Sequence, residues 1–70
     1  MNKQELGDIV QKRRTHLAIN QGDLAEMAGI SSKTIYLLEQ GKGNASLDTV
    51  GKIIDVLGLE LFVKIKQVTE

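Results

Sequence analysis

Seventy residues are enough for one compact domain, but a chain this short buries only about 60% of the surface it exposes unfolded, so oligomerisation is a common aid to its stability. With no cysteine and one histidine, His16, the sequence excludes a disulfide framework and a thiolate metal site, and neither metal nor cofactor is expected. Nine basic side chains balance nine acidic ones, which removes the cationic excess typical of nucleic-acid binders, and one Phe, one Tyr and no Trp leave little for stacking on single-stranded bases.

Along the chain, Asn2 is a helix N-cap with Glu5 three residues on, and Leu6, Ile9, Val10, Arg13 and Leu17 recur at helical spacing, which predicts a first helix from Lys3 to His16. Asn20 caps a second helix with Asp23 at its third position, followed by Leu24, Ala25, Met27 and Ala28, and Gly29 supplies the left-handed residue that ends it. Ser31 caps a third helix that turns Ile35 and Leu38 inward and stops at Gly41. Residues 41–45 read as a loop. Ser46 then caps a fourth helix with Leu47, Val50, Ile53, Ile54 and Leu57 on one stripe, and Gly58 stops it.

Beyond Gly58 the segment LELFVKIK alternates apolar and polar residues with the period of a strand. No other segment reads as a strand, and a lone strand leaves its backbone groups unpaired. The economical partner is the same strand of a second copy, giving a homodimer joined through Leu59, Leu61, Phe62, Val63 and Ile65; the alternative is a disordered tail. The expected architecture is therefore all-α: a compact four-helix helix-turn-helix domain over residues 1–58 and a dimerising C-terminal strand over 59–70.

Residues 20–41, NQGDLAEMAGISSKTIYLLEQG, have the layout of a helix-turn-helix: a short helix, a turn containing Gly29, and a second helix. Ala25 supplies the small side chain needed where two helices cross, and Leu24, Ile30, Ile35 and Leu38 are spaced to close the core. In such a unit the second helix enters the major groove and the first crosses the phosphate backbone.

Over residues 6–58 the sequence resembles the Cro/repressor, or XRE, family, whose domains are lambda-repressor-like. Gln21 matches the family's phosphate-contacting Gln at the start of helix 2. Glu39 matches the Glu near the end of helix 3, and Arg14 the helix 1 Arg that pairs with it. The continuation LGLELFVKIK resembles antitoxins of the HipB type, which implies a dimeric repressor that pairs a C-terminal strand and binds a HipA-like kinase toxin. Asn20 stands where Thr is common, Ser32 and Lys33 where Gln is frequent, and Tyr36 and Leu37 where small or polar residues are frequent, so the operator sequence does not follow from the resemblance.

Lys33 suits guanine O6 or N7, Ser31 and Ser32 either strand, and Tyr36 or Leu37 a thymine methyl. Gln21, Thr34, Lys42 and Asn44 flank the reading helix as phosphate contacts. Each has a plainer role to set beside this: Ser31 as a cap, Lys33 as a solvated cation, Tyr36 and Leu37 as a protein-contact patch, and Arg14 with Glu39 as a structural pair.

An enzyme is not expected, since there is no cysteine nucleophile, metal-ligand cluster or phosphate-binding glycine fingerprint, and Arg13, Arg14 and His16 read as cations at a helix C-terminus. No apolar run approaches the ~20 residues of a membrane span, and MNKQELGD lacks a signal peptide's apolar centre, so a cytoplasmic location is expected. Two function classes remain: a repressor of palindromic double-stranded DNA, reading as an autoregulating antitoxin, or an interaction module that keeps the fold and binds only a partner protein.

Overall fold

Each helix starts at a short polar side chain that accepts a hydrogen bond from a first-turn N–H. In the computed structural model, which describes residues 1–67, the helices are α1 (Lys3–His16), α2 (Gln21–Ala28), α3 (Ser32–Glu39) and α4 (Leu47–Val56). Asn2 Oδ1 accepts from Glu5 N at 2.8 Å, and Ser31 Oγ and Ser46 Oγ accept from Thr34 N and Thr49 N, each at 3.1 Å. Asn20 forms a reciprocal capping box: its Oδ1 accepts from Asp23 N at 2.7 Å, and Asp23 Oδ2 accepts from Asn20 N at 3.2 Å. Such caps contribute about 1 kcal/mol each, a sizeable share for helices of two or three turns. Gly29 closes α2 at φ 70, a conformation that costs glycine little, and Ile30 N–H donates to Ala25 O at 3.0 Å to turn the chain into α3.

The core is a single cluster. Val10 of α1, Leu24 of α2, Ile35 of α3, Ile53 of α4 and the following Leu57 are fully buried, with Ala25, Ala28, Leu38, Val50 and Ile54 around them. The small Ala25 and Ala28 line the side of α2 that enters this core. Contact between α1 and α3 is closer still: a Cβ on Gly7 would overlap Leu38 O and stand 2.9 Å from Glu39 O. Only glycine allows the backbones that approach.

The end of α1 is tied to two other parts of the chain. Arg13 Nε donates to Leu57 O at 2.9 Å, satisfying a carbonyl at the end of α4, and Arg14 Nη1 donates to Ile19 O at 2.9 Å. Arg13 is thus not merely a cation near the end of its own helix, as the sequence reading had it. The chain leaves α1 through Ala18 in the left-handed region, φ 58, with Ile19 N–H donating to Arg14 O at 3.3 Å.

The expected C-terminal strand is overturned. Leu59 is half-buried on the core, and its N–H donates to Ile54 O at 3.0 Å, so it finishes α4 within its own chain. Among the described residues there is no strand, and the architecture is all-helical. Leu61, Phe62, Val63 and Ile65 are 46, 74, 98 and 96% exposed, so beyond Leu59 neither face of the alternating segment packs on the helices. Alternation fixes which side chains share a face, but a strand also needs a backbone partner, and nothing else among the described residues is a strand. The rest of the expected dimerising segment, 68–70, lies outside the described residues. Among those residues no helix is long and apolar enough to cross a membrane.

Gly7→Ala is expected to destabilise the domain by about 1 to 3 kcal/mol, because α1 and α3 must move apart to admit the methyl group. Thermal denaturation checks this, and an unchanged melting temperature would show that the contact can relax.

Candidate nucleic-acid interface

Burial of Ile35 and Leu38 decides which face of α3 looks outward. Ser32, Lys33 and Tyr36 are exposed on it, Tyr36 at 51%, while Thr34 and Leu37 are half-buried at its edge. The Ser31 and Thr34 hydroxyl oxygens lie 2.8 Å apart. Whichever donates, one O–H of the pair remains for an outside acceptor.

A cleft of about 290 Å³ runs between α3, the 41–46 loop and the first turn of α4. It brings together four residues expected to meet DNA, Thr34, Leu37, Lys42 and Asn44, and adds Ser46 and Thr49, which the sequence reading assigned only to a helix start or not at all. Leu37 sits against Gly43, 3.4 Å from where a Cβ there would stand, so it supports the loop as well as bordering the groove-facing surface. The loop is anchored by Lys42 N–H donating to Leu37 O at 2.9 Å and by Lys3 Nζ donating to Gly43 O at 2.6 Å. A lysine at the start of α1 carries no motif that points across the fold, and the sequence reading gave Lys3 no part here.

Arg14 and Glu39 meet as expected. Arg14 Nε donates to Glu39 Oε2 at 2.7 Å and Arg14 Nη2 to Oε1 at 2.9 Å, a bidentate pair in which the Glu39 side chain has no exposed surface. The hydrogen bond to Glu39 raises the Arg14 pKa above its ordinary value, against a smaller opposing effect of burial. Gln21 is the unexpected third member: its Nε2 donates to Glu39 Oε1 at 3.0 Å. Every buried side-chain nitrogen and oxygen among the described residues has a hydrogen-bond partner. Gln21 thus lies at the start of α2, apart from the α3–α4 cleft, and its amide faces the ion pair.

A short α2, a glycine turn and an α3 with one buried and one polar face define a helix-turn-helix domain. The helix-turn-helix family model matches residues 10–63, and the chain belongs to this family, which is the XRE type. It is 40% identical over 55 residues to a Methanosarcina acetivorans protein provisionally named an HTH-type transcriptional regulatory protein, a match covering 79% of this chain and 17% of that one. Similarly named proteins are 38% identical over 55 residues in Methanococcus maripaludis (79% of this chain, 17% of the relative) and 36% over 50 residues in Saccharolobus islandicus (71% and 16%). The chain thus spans about a sixth of the length of these relatives.

Removing one partner of a buried ion pair strands the other charge, at a cost of about 3 to 5 kcal/mol. Glu39→Ala is therefore expected to unfold the domain or lower its melting temperature sharply, which circular dichroism on heating will report.

Proposed function

We propose that this domain binds double-stranded DNA, with α3 in the major groove, and acts as a transcriptional repressor without catalysing a reaction. One observation carries the reading: α3 is locked by its buried face while Ser32, Lys33 and Tyr36 stand exposed beside the cleft that holds Lys42 and Asn44. Lys33 is the base-reading cation, Ser31, Ser32 and Tyr36 complete the contact with base edges, and Gln21, Thr34, Lys42 and Asn44 meet the backbone. The names of the relatives, HTH-type regulatory proteins, support the same reading. A neutral chain gains little attraction per copy, so the operator is a palindrome read by a homodimer, with half-sites about 34 to 36 Å apart or a multiple of that.

A second reading, as the antitoxin partner of a HipA-like kinase toxin, has its support in Phe62, Val63 and Ile65, apolar side chains that stand exposed beyond the core as protein-contact surfaces do. A kinase-like reading frame beside this gene would favour it, and its absence would leave the free-standing repressor.

Selection from a random duplex pool followed by titration tests the main reading. Lys33→Ala is expected to relax base preference at one position by about 1 to 3 kcal/mol, whereas Gln21→Ala weakens all sequences alike, and affinity falls as salt rises. Equal loss of preference in both variants would contradict the division of roles.

A further inference from the structure

Gln21 is half-buried, and its amide donates from Nε2 to a carboxylate with no exposed surface. A primary amide has a donor end and an acceptor end that exchange by half a turn about its last side-chain bond. Only the donor end suits Glu39. The flipped amide would set Gln21 Oε1 against Glu39 Oε1, lone pair against lone pair, where water is largely excluded. Glu39 therefore decides which end of the amide is turned which way. This matters for backbone binding, because a phosphodiester oxygen offers only lone pairs. Nε2 carries two N–H groups, the bond to Glu39 uses one, and no partner for the other is found among the described residues.

We propose that Glu39 is a positioning residue for DNA-backbone binding: it holds the Gln21 amide so that the second Nε2–H meets a phosphate at the start of α2. The inference rests on the duplex-DNA reading above and deepens it, since it gives an internal ion pair a part in recognition. Arg14 completes the arrangement. A buried carboxylate just behind Gln21 would repel the incoming phosphate, but the guanidinium bound to both its oxygens cancels that charge locally. The Arg14 charge is held more firmly than in a free arginine, chiefly by its hydrogen bond to Glu39.

The test uses the full chain and a fluorescein-labelled mixed-sequence duplex of about two helical turns at low salt. Gln21→Ala and Glu39→Gln are each expected to weaken binding by about tenfold, and the double variant to bind no more weakly than Gln21→Ala alone, since the backbone donor that Glu39 orients is the Gln21 amide. Losses that multiply in the double variant overturn the proposal. If Glu39→Gln is not folded at any temperature, nitrogen-15 NMR of the unaltered protein decides. One Gln21 Nε2 proton should exchange with solvent more slowly than the other in the free protein, and duplex should shift the faster one while leaving the Glu39-bonded one in place. Two protons that exchange alike, or two unmoved protons while other resonances report binding, overturn it. Wild-type affinity in Gln21→Ala would remove this role but leave the DNA reading standing, whereas failure of the unaltered chain to bind any duplex would remove both.

Discussion

Burial of Ile35 and Leu38 chooses the outward face of α3, and a charge pair that faces inward holds that face in place. Glu39 is the last residue of α3 and is 2% exposed; Arg14 lies in the last turn of α1. A carboxylate removed from water in a domain this small is tolerable only if each lone pair that water would have served is taken up elsewhere. Arg14 supplies two donors in a fixed fork and Gln21 a third. The planar fork sets orientation as well as distance, so α3 cannot rotate about its axis without breaking one bond of the pair. Rotation is the motion that would most damage a reading helix, because it would exchange Lys33 and Tyr36 for their neighbours on the exposed face.

α1 then acts as the strut for the rest of the fold. Near its start Lys3 reaches the 41–44 loop, in its middle Gly7 lets α3 approach to backbone contact, and at its end Arg13 and Arg14 hold the end of α4 and the end of α3. These are polar or steric constraints, each directional, added to an apolar core that is not. Burial of Val10, Leu24, Ile35, Ile53 and Leu57 drives collapse, but packing of similar aliphatic side chains specifies geometry less sharply than hydrogen bonds of fixed direction. The domain therefore relies on one helix that is not part of the helix-turn-helix unit to fix the two that are.

Local signals were legible in the sequence, and those depending on a distant partner mostly were not. All four N-caps could be read from Asn2, Asn20, Ser31 and Ser46, because a cap acts within its own turn, and helix bounds followed from them. The end of α1 had no such marker, since Ala18 takes the left-handed conformation that glycine takes after α2. Gly7 carries no signal in its own neighbourhood, because the need for glycine there comes from α3 lying on it. The Arg14–Glu39 pair was found only through a family resemblance; its 25-residue separation carries no periodic signal. Gln21 was assigned outward and also faces inward, a double use that spacing cannot express. The C-terminal segment failed in the opposite direction: its alternation was real, but a strand is a relation between two segments and only one such segment occurs among the described residues. Ser46 and Thr49 entered the cleft because a loop brought them there, not because of anything at their own positions.

The even charge balance looks like an argument against DNA binding until the charges are located. Arg14 and Glu39 cancel each other inside the fold, and Arg13 and Lys3 are engaged with backbone carbonyls. On the α3 and loop surface the charged groups are Lys33 and Lys42, with neutral donors from Ser31, Ser32, Thr34, Tyr36 and Asn44 around them. Two of the acidic residues are engaged elsewhere: Asp23 folds back on Asn20 N, and Asp8 accepts from Gln4 on α1. On the proposed DNA reading, a surface of this kind would neutralise few phosphates, so its salt dependence would be shallower than that of a strongly basic protein and more of its affinity would come from neutral hydrogen bonds. Neutral bonds depend on direction much more than charge attraction does. The rigidity that the Arg14–Glu39–Gln21 network gives to α2 and α3 is the physical compensation for the missing positive charge.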